Sequence, residues 1–139
     1  MANFTFRLQK VLEFRAGREH AAKSAYLAKQ SEVMAAEAAI SRIKERRLCT
    51  LSETRSSIEQ YQLLEAELLR LDDEERVQRV VLSVLSDEAE VLRVAWTRHK
   101  QDVETVQKLR ERAHAEWTQA LNRREQAELD EWSAQRRAA

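Results

Sequence analysis

The stretch YQLLEAELLRLDDEERVQRVVLSVLSDEAEVLRVAW, residues 61–96, carries the pattern that decides the fold. Its apolar side chains recur at alternating intervals of three and four residues, and fourteen of the eighteen positions spaced this way up to residue 120 are apolar. An average spacing of 3.5 residues keeps one stripe of a helix facing a partner helix while both supercoil. The stretch therefore predicts one long helix of a coiled coil. The positions of this second-helix seam are Tyr61, Leu64, Leu68, Leu71, Glu75, Gln78, Leu82, Leu85, Ala89, Leu92, Trp96, His99, Val103, Val106, Arg110, Ala113, Trp117 and Ala120.

A less regular seam precedes it in the chain. Charged side chains interrupt this first seam at Arg15, Glu19 and Lys29. Because a charged group in a seam fills it less well than an apolar one, we expect the amino-terminal half of the first helix to pack more loosely. The apolar members are Leu8, Leu12, Ala22, Tyr26, Val33, Ala36, Ile40 and Ile43.

The turn between the two helices is predicted at about residues 49–57, sequence CTLSETRSS. Hydroxyl side chains in this run compete for backbone hydrogen bonds and disfavour the helix interior. Ser57 followed by Gln60, or Ser56 followed by Glu59, has the capping-box spacing that starts a new helix. We therefore predict a single domain, residues 1–139, with helix 1 at about 4–48 and helix 2 at about 58–136.

A further break at residues 83–87 would give three helices, because Ser86 could cap a new start. Leu82, Leu85 and Ala89 carry the seam straight through this region, which favours two helices. The absence of proline and the single glycine in the sequence also favour long helices over compact folds. The predicted fold is all-α, a long antiparallel two-helix coiled-coil hairpin with a longer second helix.

The two predicted helices are unequal in length. With the turn centred near residue 54, residue 8 lies opposite about residue 100, which leaves about thirty carboxy-terminal residues without an intramolecular partner. This overhang includes Trp117 and Trp132, whose exposure on an isolated helix is unfavourable. We expect it to be a docking surface.

The composition disfavours catalysis, nucleic-acid binding and membrane insertion. Acidic and basic residues number 24 each, so no bulk charge attracts nucleic acid, and basic runs such as residues 42–47 are interleaved with acids. The three histidines lack metal-ligand spacing, the acidic run of residues 72–75 points around a helix, and no glycine-rich phosphate loop is present. The lone Cys49 and the lack of a signal-like or membrane-spanning apolar run indicate the cytoplasm. We expect no enzymatic activity, no cofactor and no metal site.

Both ends of the chain carry motifs of a known protein family. The amino-terminal run FTFRLQKVLEFR, residues 4–15, with Glu19 and Ala22, is similar to F-x-F-x-L-x-x-V-L-x-x-R-x-x-x-E-x-x-A, the opening motif of the FliJ family of flagellar export proteins. The carboxy-terminal runs KLRER, residues 108–112, and RREQAELDE, residues 123–131, are similar to its closing L-x-E-R and R-x-E-Q-x-x-L-D-E. The middle matches as a generic coiled coil, and Arg46 and Arg47 stand where some members carry apolar residues.

The resemblance implies a stalk that inserts its paired helix termini into the hexameric export ATPase (FliI) and contacts the export gate protein FlhA near the turn. It also implies escort of export chaperones, and a cytoplasmic location at the inner membrane through the export apparatus. The ATPase-binding residues implied are Phe4, Phe6, Leu8, Arg15, Glu19, Glu125, Asp130 and Glu131. The gate-binding residues implied are Tyr61, Leu64, Leu68 and Leu71, which could equally be intramolecular seam.

Two other functions share this shape. One is the equivalent stalk of a virulence-type injectisome, against which the run RREQAELDE argues because it resembles the flagellar branch. The other is a generic coiled-coil scaffold or chaperone that binds clients along its apolar stripe. Stable homodimers formed through the overhang, without affinity for the ATPase, would favour the scaffold.

Overall fold

Two helices make up almost all of the protein in a computed structural model that describes residues 3–138. Helix α1 spans Gln9–Ser52 and helix α2 spans Ile58–Ala138, with lengths of 44 and 81 residues. No strand occurs among the described residues. The predicted two-helix antiparallel hairpin with a longer second helix is confirmed. Because α2 is continuous through residues 83–87, the three-helix alternative is wrong.

Helix α1 begins and ends later than predicted. Residues 3–6 are not helical, and the first turn forms where the Gln9 amide donates to the Phe6 carbonyl at 3.1 Å. At the other end the Ser52 hydroxyl donates to the Cys49 carbonyl at 2.8 Å. A hydroxyl that bonds to the preceding turn is compatible with a helix, so the hydroxyl-rich run stays helical to Ser52. The turn is therefore limited to residues 53–57.

The start of α2 is capped as the sequence predicts. The Gln60 amide donates to Ser57 Oγ at 3.2 Å, and Gln60 Oε1 accepts from the Ser56 amide at 2.8 Å. The Tyr61 amide donates to the Ser57 carbonyl at 3.2 Å. This is the predicted Ser57–Gln60 capping pair, with the return bond reaching the residue before the cap. Amide groups that would otherwise lack partners at the helix start are thereby satisfied.

The contacts divide the chain into two compact units. Unit 1 joins the described residues up to His20 to those from Thr97 onward, and unit 2 spans Ala21–Trp96. Each unit contains a segment of α1 paired with a segment of α2. That the whole chain is one domain stays a prediction.

Unit 2 holds most of the buried apolar side chains. Among the described residues of unit 2, Leu71 is the only one whose side chain has no solvent exposure. Charged side chains close the seam at its edges: Arg47 Nη2 lies 2.6 Å from Asp72 Oδ1, and Lys29 Nζ lies 2.8 Å from Glu88 Oε2. The predicted interruption at Lys29 is thus an ion pair between the helices. The buried set is Val33, Ala36, Ile40 and Ile43 from α1 with Leu71 and Ala89 from α2.

Unit 1 packs more loosely, as the interrupted seam predicts. Of its described apolar side chains, only Leu12 and Val106 are buried. Polar contacts between the helices replace apolar ones, since Arg15 Nη1 donates to the Asp102 carbonyl at 3.2 Å and Arg110 Nε donates to Gln9 Oε1 at 3.2 Å. The side chains of these contacts remain partly exposed to water.

The predicted register of the overhang is wrong by about ten residues. Leu8 lies beside Leu109 rather than near residue 100, and Trp117 packs against Phe4 with 5.8 Å between ring centroids. The first turns of α2 explain the shift, because Ile58 and Leu63 are 78% and 71% exposed and are not buried against α1. Pairing therefore starts later along α2. The unpaired segment begins after Leu121 instead.

Candidate protein-binding surfaces

The predicted amino-terminal residues meet α2 at an aromatic cluster. The Phe4 ring meets the His114 ring edge to face at 5.0 Å and lies 5.8 Å from Trp117, and the Arg110 guanidinium lies 5.8 Å from the Phe4 centroid. Aromatic pairs with this geometry add to the stability that burial provides. Phe4 is only partly buried. The cluster therefore fixes the non-helical start of the chain on α2 and leaves part of the ring open.

Phe6 and Leu8 lie next to this cluster. They line a groove of about 370 Å³ together with Leu109 and Ala113. Arg15 and Glu19 follow along α1, and both are partly buried in the seam. The structure thus gathers Phe4, Phe6 and Leu8 onto one short stretch of α2.

The predicted carboxy-terminal residues lie on an exposed helix. Every described residue from Asn122 onward is exposed, and we call residues 122–138 the exposed segment. Glu125 lies about 12 Å beyond Trp117 along the helix axis. It therefore shares this helix with the aromatic cluster without joining it, and Asp130 and Glu131 lie further on.

Large apolar side chains accompany the acids of the exposed segment. Leu129 is 58% exposed and Trp132 is 57% exposed. The Arg136 guanidinium lies 5.2 Å from the Trp132 ring centroid and covers part of it. Gln126 Nε2 donates to Asp130 Oδ1 at 3.1 Å. The segment thus offers both carboxylates and aromatic surface to a partner.

The predicted gate-binding residues differ in exposure. Tyr61 is 57% exposed, with its hydroxyl 3.5 Å from the Arg55 carbonyl oxygen, whereas Leu64 and Leu68 are partly buried. Leu71 is fully buried in the seam. A partner could therefore touch the first three, while Leu71 is available only as support beneath them.

Sequence reasoning missed exposed apolar residues beside this group. Ile58, Leu63 and Leu69 are 78%, 71% and 60% exposed. Leu63 and Leu64 also line a groove of about 540 Å³ with the turn residues Thr54 and Arg55. These three residues are apolar but lie off the 3.5-residue seam, and that pattern in the sequence could have indicated an exposed apolar surface.

The acidic run at residues 72–75 is held by arginines. Arg47 Nη2 lies 3.4 Å from Glu75 Oε2, and Arg79 Nη2 lies 3.4 Å from Glu75 Oε1. Burial raises the pKa of Glu75, but the two guanidinium groups outweigh it and leave the pKa below its ordinary value. The run therefore ties α1 to α2 within unit 2.

Comparison with known proteins identifies the family. A family model described as Flagellar FliJ protein matches residues 4–139. The chain belongs to the FliJ family. The resemblance of the two ends is thereby confirmed, and the chain is a component of flagellar type III protein export. Searches of curated proteins and of solved structures found no match.

FliJ proteins are structural components of the export apparatus. In residues 3–138 of this FliJ protein, no group of three or more His, Cys, Asp or Glu side chains is arranged to hold a metal ion. Neither helix, over the same residues, has a stretch apolar and long enough to cross a bilayer.

Proposed function

We propose that this chain is a coiled-coil stalk that binds the hexameric export ATPase (FliI) through unit 1 and the export gate protein FlhA through the turn region of unit 2. In this role it supports flagellum assembly and motility and escorts export chaperones. It acts at the cytoplasmic face of the inner membrane through the export apparatus, without a cofactor or enzymatic activity of its own. Family membership supports the export role, and the surfaces of each unit support the choice of partners.

The observation that carries the ATPase contact is the aromatic cluster followed by the exposed segment. Phe4 packs against Trp117 and so holds the residues that precede α1 on α2 within unit 1. Trp132 and Leu129 then stand in solvent on a helix that carries Glu125, Asp130 and Glu131. Exposed large apolar groups next to charges are typical of protein-binding surfaces.

The gate contact rests on the exposed apolar residues that follow the turn. Tyr61 stands in solvent, and Leu64 and Leu68 keep part of their surface open. In the proposed contact Leu71 supports the surface from within the seam. The cap at Ser57 and Gln60 holds the first turn of α2 in place for this contact.

A titration against the export ATPase of the same organism tests the proposal. The full chain is added to the ATPase with and without nucleotide, and binding is followed by pull-down and light scattering. We expect binding at about one copy per hexamer, with enhanced ring assembly or hydrolysis. Failure of the full chain to bind would overturn the stalk function and favour a generic scaffold.

Substitutions locate the contact within the chain. Trp132→Ala combined with Leu129→Ala should weaken ATPase binding by about tenfold or more, because exposed aromatic anchors carry much of an interface's affinity. The control Leu63→Ala removes an apolar group of unit 2 that is even more exposed, at 71%, and should leave ATPase binding unchanged. Loss of binding only in the control would show that the ATPase site is misplaced.

A further inference from the structure

The paired helices of unit 1 expose large apolar side chains on one side only. Among the described residues of unit 1 that precede the exposed segment, the exposed ones are Val11, Phe14 and Leu109, at 38%, 65% and 42%. Val11 and Phe14 are three residues apart on α1, so they are neighbours on its surface. Arg7 lies four residues before Val11 and lines the same groove as Leu109. The three apolar side chains therefore share one side of the helix pair.

Arginines flank these apolar side chains at both ends. Arg112 lies three residues after Leu109 on α2, at one end. Arg98 lies two heptads before Arg112, at the same angular position, and marks the other end. Arg18 lies four residues after Phe14, also at this second end, and both residues are exposed. We call the three apolar side chains, together with Arg7, Arg18, Arg98 and Arg112, the arginine-rimmed patch.

The four arginines of the patch are not neutralised within the chain. None of them forms a hydrogen bond or ion pair with another described residue, whereas Arg47 and Arg70 of unit 2 are both paired with carboxylates. The acids on this side are Asp102 and Glu116, which lie seven residues before and after Leu109. Each end of the patch therefore has two guanidinium groups for one carboxylate, and positive charge remains free.

The charge of unit 1 as a whole agrees with that of the patch. Outside the exposed segment, unit 1 contains nine Arg or Lys and six Asp or Glu, whereas unit 2 contains eleven and fourteen. The net charge of zero for the whole chain therefore conceals a basic unit 1. A basic surface without partners of its own favours association with an acidic surface.

The ring of Phe14 prepares one of these arginines for a carboxylate. The Arg18 guanidinium lies 5.8 Å from the Phe14 ring centroid. Stacking uses the flat face of a guanidinium and leaves the N–H groups at its edge free. Such an edge can donate two parallel hydrogen bonds to one carboxylate. Phe14 therefore supplies apolar area and also holds Arg18 in place.

We infer that the arginine-rimmed patch is a contact for the export ATPase, and that the ATPase presents there an apolar side chain flanked by carboxylates. The inference rests on the proposed stalk function, which places the ATPase at unit 1. Charge selects this occupant over a second copy of the chain, because two such patches would bring arginines against arginines. The patch adds a contact on the paired helices to the contact on the exposed segment.

Charge reversal at Arg112 tests the patch. Arg112→Glu, titrated against the ATPase of the same organism at about 0.15 M salt, should bind about tenfold or more weakly. The matched control is Lys100→Glu, since Lys100 is exposed, lies about three and a half turns before Arg112 and so faces away from the patch. Both residues stand four positions before a glutamate, so reversal costs the helix a similar amount. The control should bind within about twofold of the original chain, because charges are screened over about 8 Å.

The apolar centre and the salt dependence give independent readouts. Phe14→Ala should weaken ATPase binding by about tenfold, as truncation of an aromatic anchor does. An increase from about 0.05 M to about 0.3 M salt should weaken the original chain more than Arg112→Glu, because the variant lacks one of the attractive charges that salt screens. Circular dichroism should show the same helix content in the original chain and in all three variants.

Two results would overturn the patch alone. The first is equal binding by Arg112→Glu and Lys100→Glu, because a local contact must distinguish the two sides of α2. The second is undiminished binding by both Arg112→Glu and Phe14→Ala together with loss of binding in the variant that combines Trp132→Ala and Leu129→Ala, which would confine the ATPase contact to the exposed segment. A full chain that does not bind the ATPase would overturn the proposed function and the patch together.

Discussion

The two units of the chain use different interactions to hold the same pair of helices together. In unit 2 the seam is closed by buried aliphatic side chains such as Ile40 and Leu71, with ion pairs at its edges. In unit 1 the buried side chains are Leu12 and Val106, and an aromatic cluster with arginine contacts supplies the rest. Buried aliphatic groups stabilise a helix pair through area removed from water, whereas partly exposed polar contacts contribute much less.

The two units differ in how much of their seam is buried and in how much of it a partner protein can reach. Unit 2 buries more of its seam, so we expect it to be the more stable part of the helix pair. Unit 1 keeps Phe4, Arg15 and Glu19 partly open and continues into the exposed segment. Residues that must meet a partner cannot also be fully buried, so the looser seam of unit 1 suits a binding role.

Breaking the seam of unit 2 should have the largest effect. Leu71→Ala removes a fully buried side chain and should lower the free energy of unfolding by about 2–5 kcal/mol, since a cavity is left in the seam. Leu69→Ala, at a side chain that is 60% exposed, is the control and should change it by less than about 0.5 kcal/mol. Urea denaturation followed by circular dichroism measures both. Equal losses would mean that the seam is misassigned.

Removing the aromatic cluster should have a smaller effect that stays within unit 1. Phe4→Ala loses the contacts to His114 and Trp117, which is worth about 0.5–1.5 kcal/mol for each aromatic pair. Hydrogen exchange should become faster at residues 9–20 and stay unchanged at residues 60–90. Phe14→Ala, at a ring that is 65% exposed, should change neither region. Faster exchange in unit 2 after Phe4→Ala would contradict the separation of the two units.

Acid should weaken unit 2 by a smaller amount. Hydrogen bonds from Arg70 and Arg93 lower the pKa of Glu67 and of Glu90, and the pKa of Glu75 is also below its ordinary 4.5. A carboxyl whose pKa is lower when folded stabilises the fold above about pH 4.5, and this stabilisation is lost as the pH falls through the folded pKa.

The variant Glu75→Gln measures this contribution. The urea midpoint of the original chain should fall between about pH 7 and about pH 3, and Glu75→Gln should show a smaller fall because one titrating carboxyl is gone. A fall of the same size in the variant would show that the Arg47 and Arg79 contacts with Glu75 contribute no stability.

The seam was predictable because it depends only on helix periodicity. Of the eighteen predicted positions on α2, all but Tyr61 and Ala120 are buried or partly buried. The Ser57–Gln60 cap was also predictable, since its spacing fixes which groups can meet. The family was visible in the motifs at the two ends.

The register between the helices was not predictable from periodicity. It depends on how many residues near the turn stay outside the seam, and those include Tyr61, which was predicted as a seam position but is 57% exposed. The position of Trp117 against Phe4 followed from that register.

The antiparallel pairing of α1 and α2 sets the order in which contacts can form during synthesis. Arg47 and Asp72 are 25 residues apart in the chain, whereas Gln9 and Arg110 are 101 residues apart. Closing the longer loop directly would cost about 1.2 kcal/mol more entropy, but each contact formed near the turn shortens the loop for the next. The helices can therefore zip from Ser57 outward as α2 leaves the ribosome. Phe4 is synthesised before Trp117, so it can pack into the aromatic cluster only after Trp117 has left the ribosome.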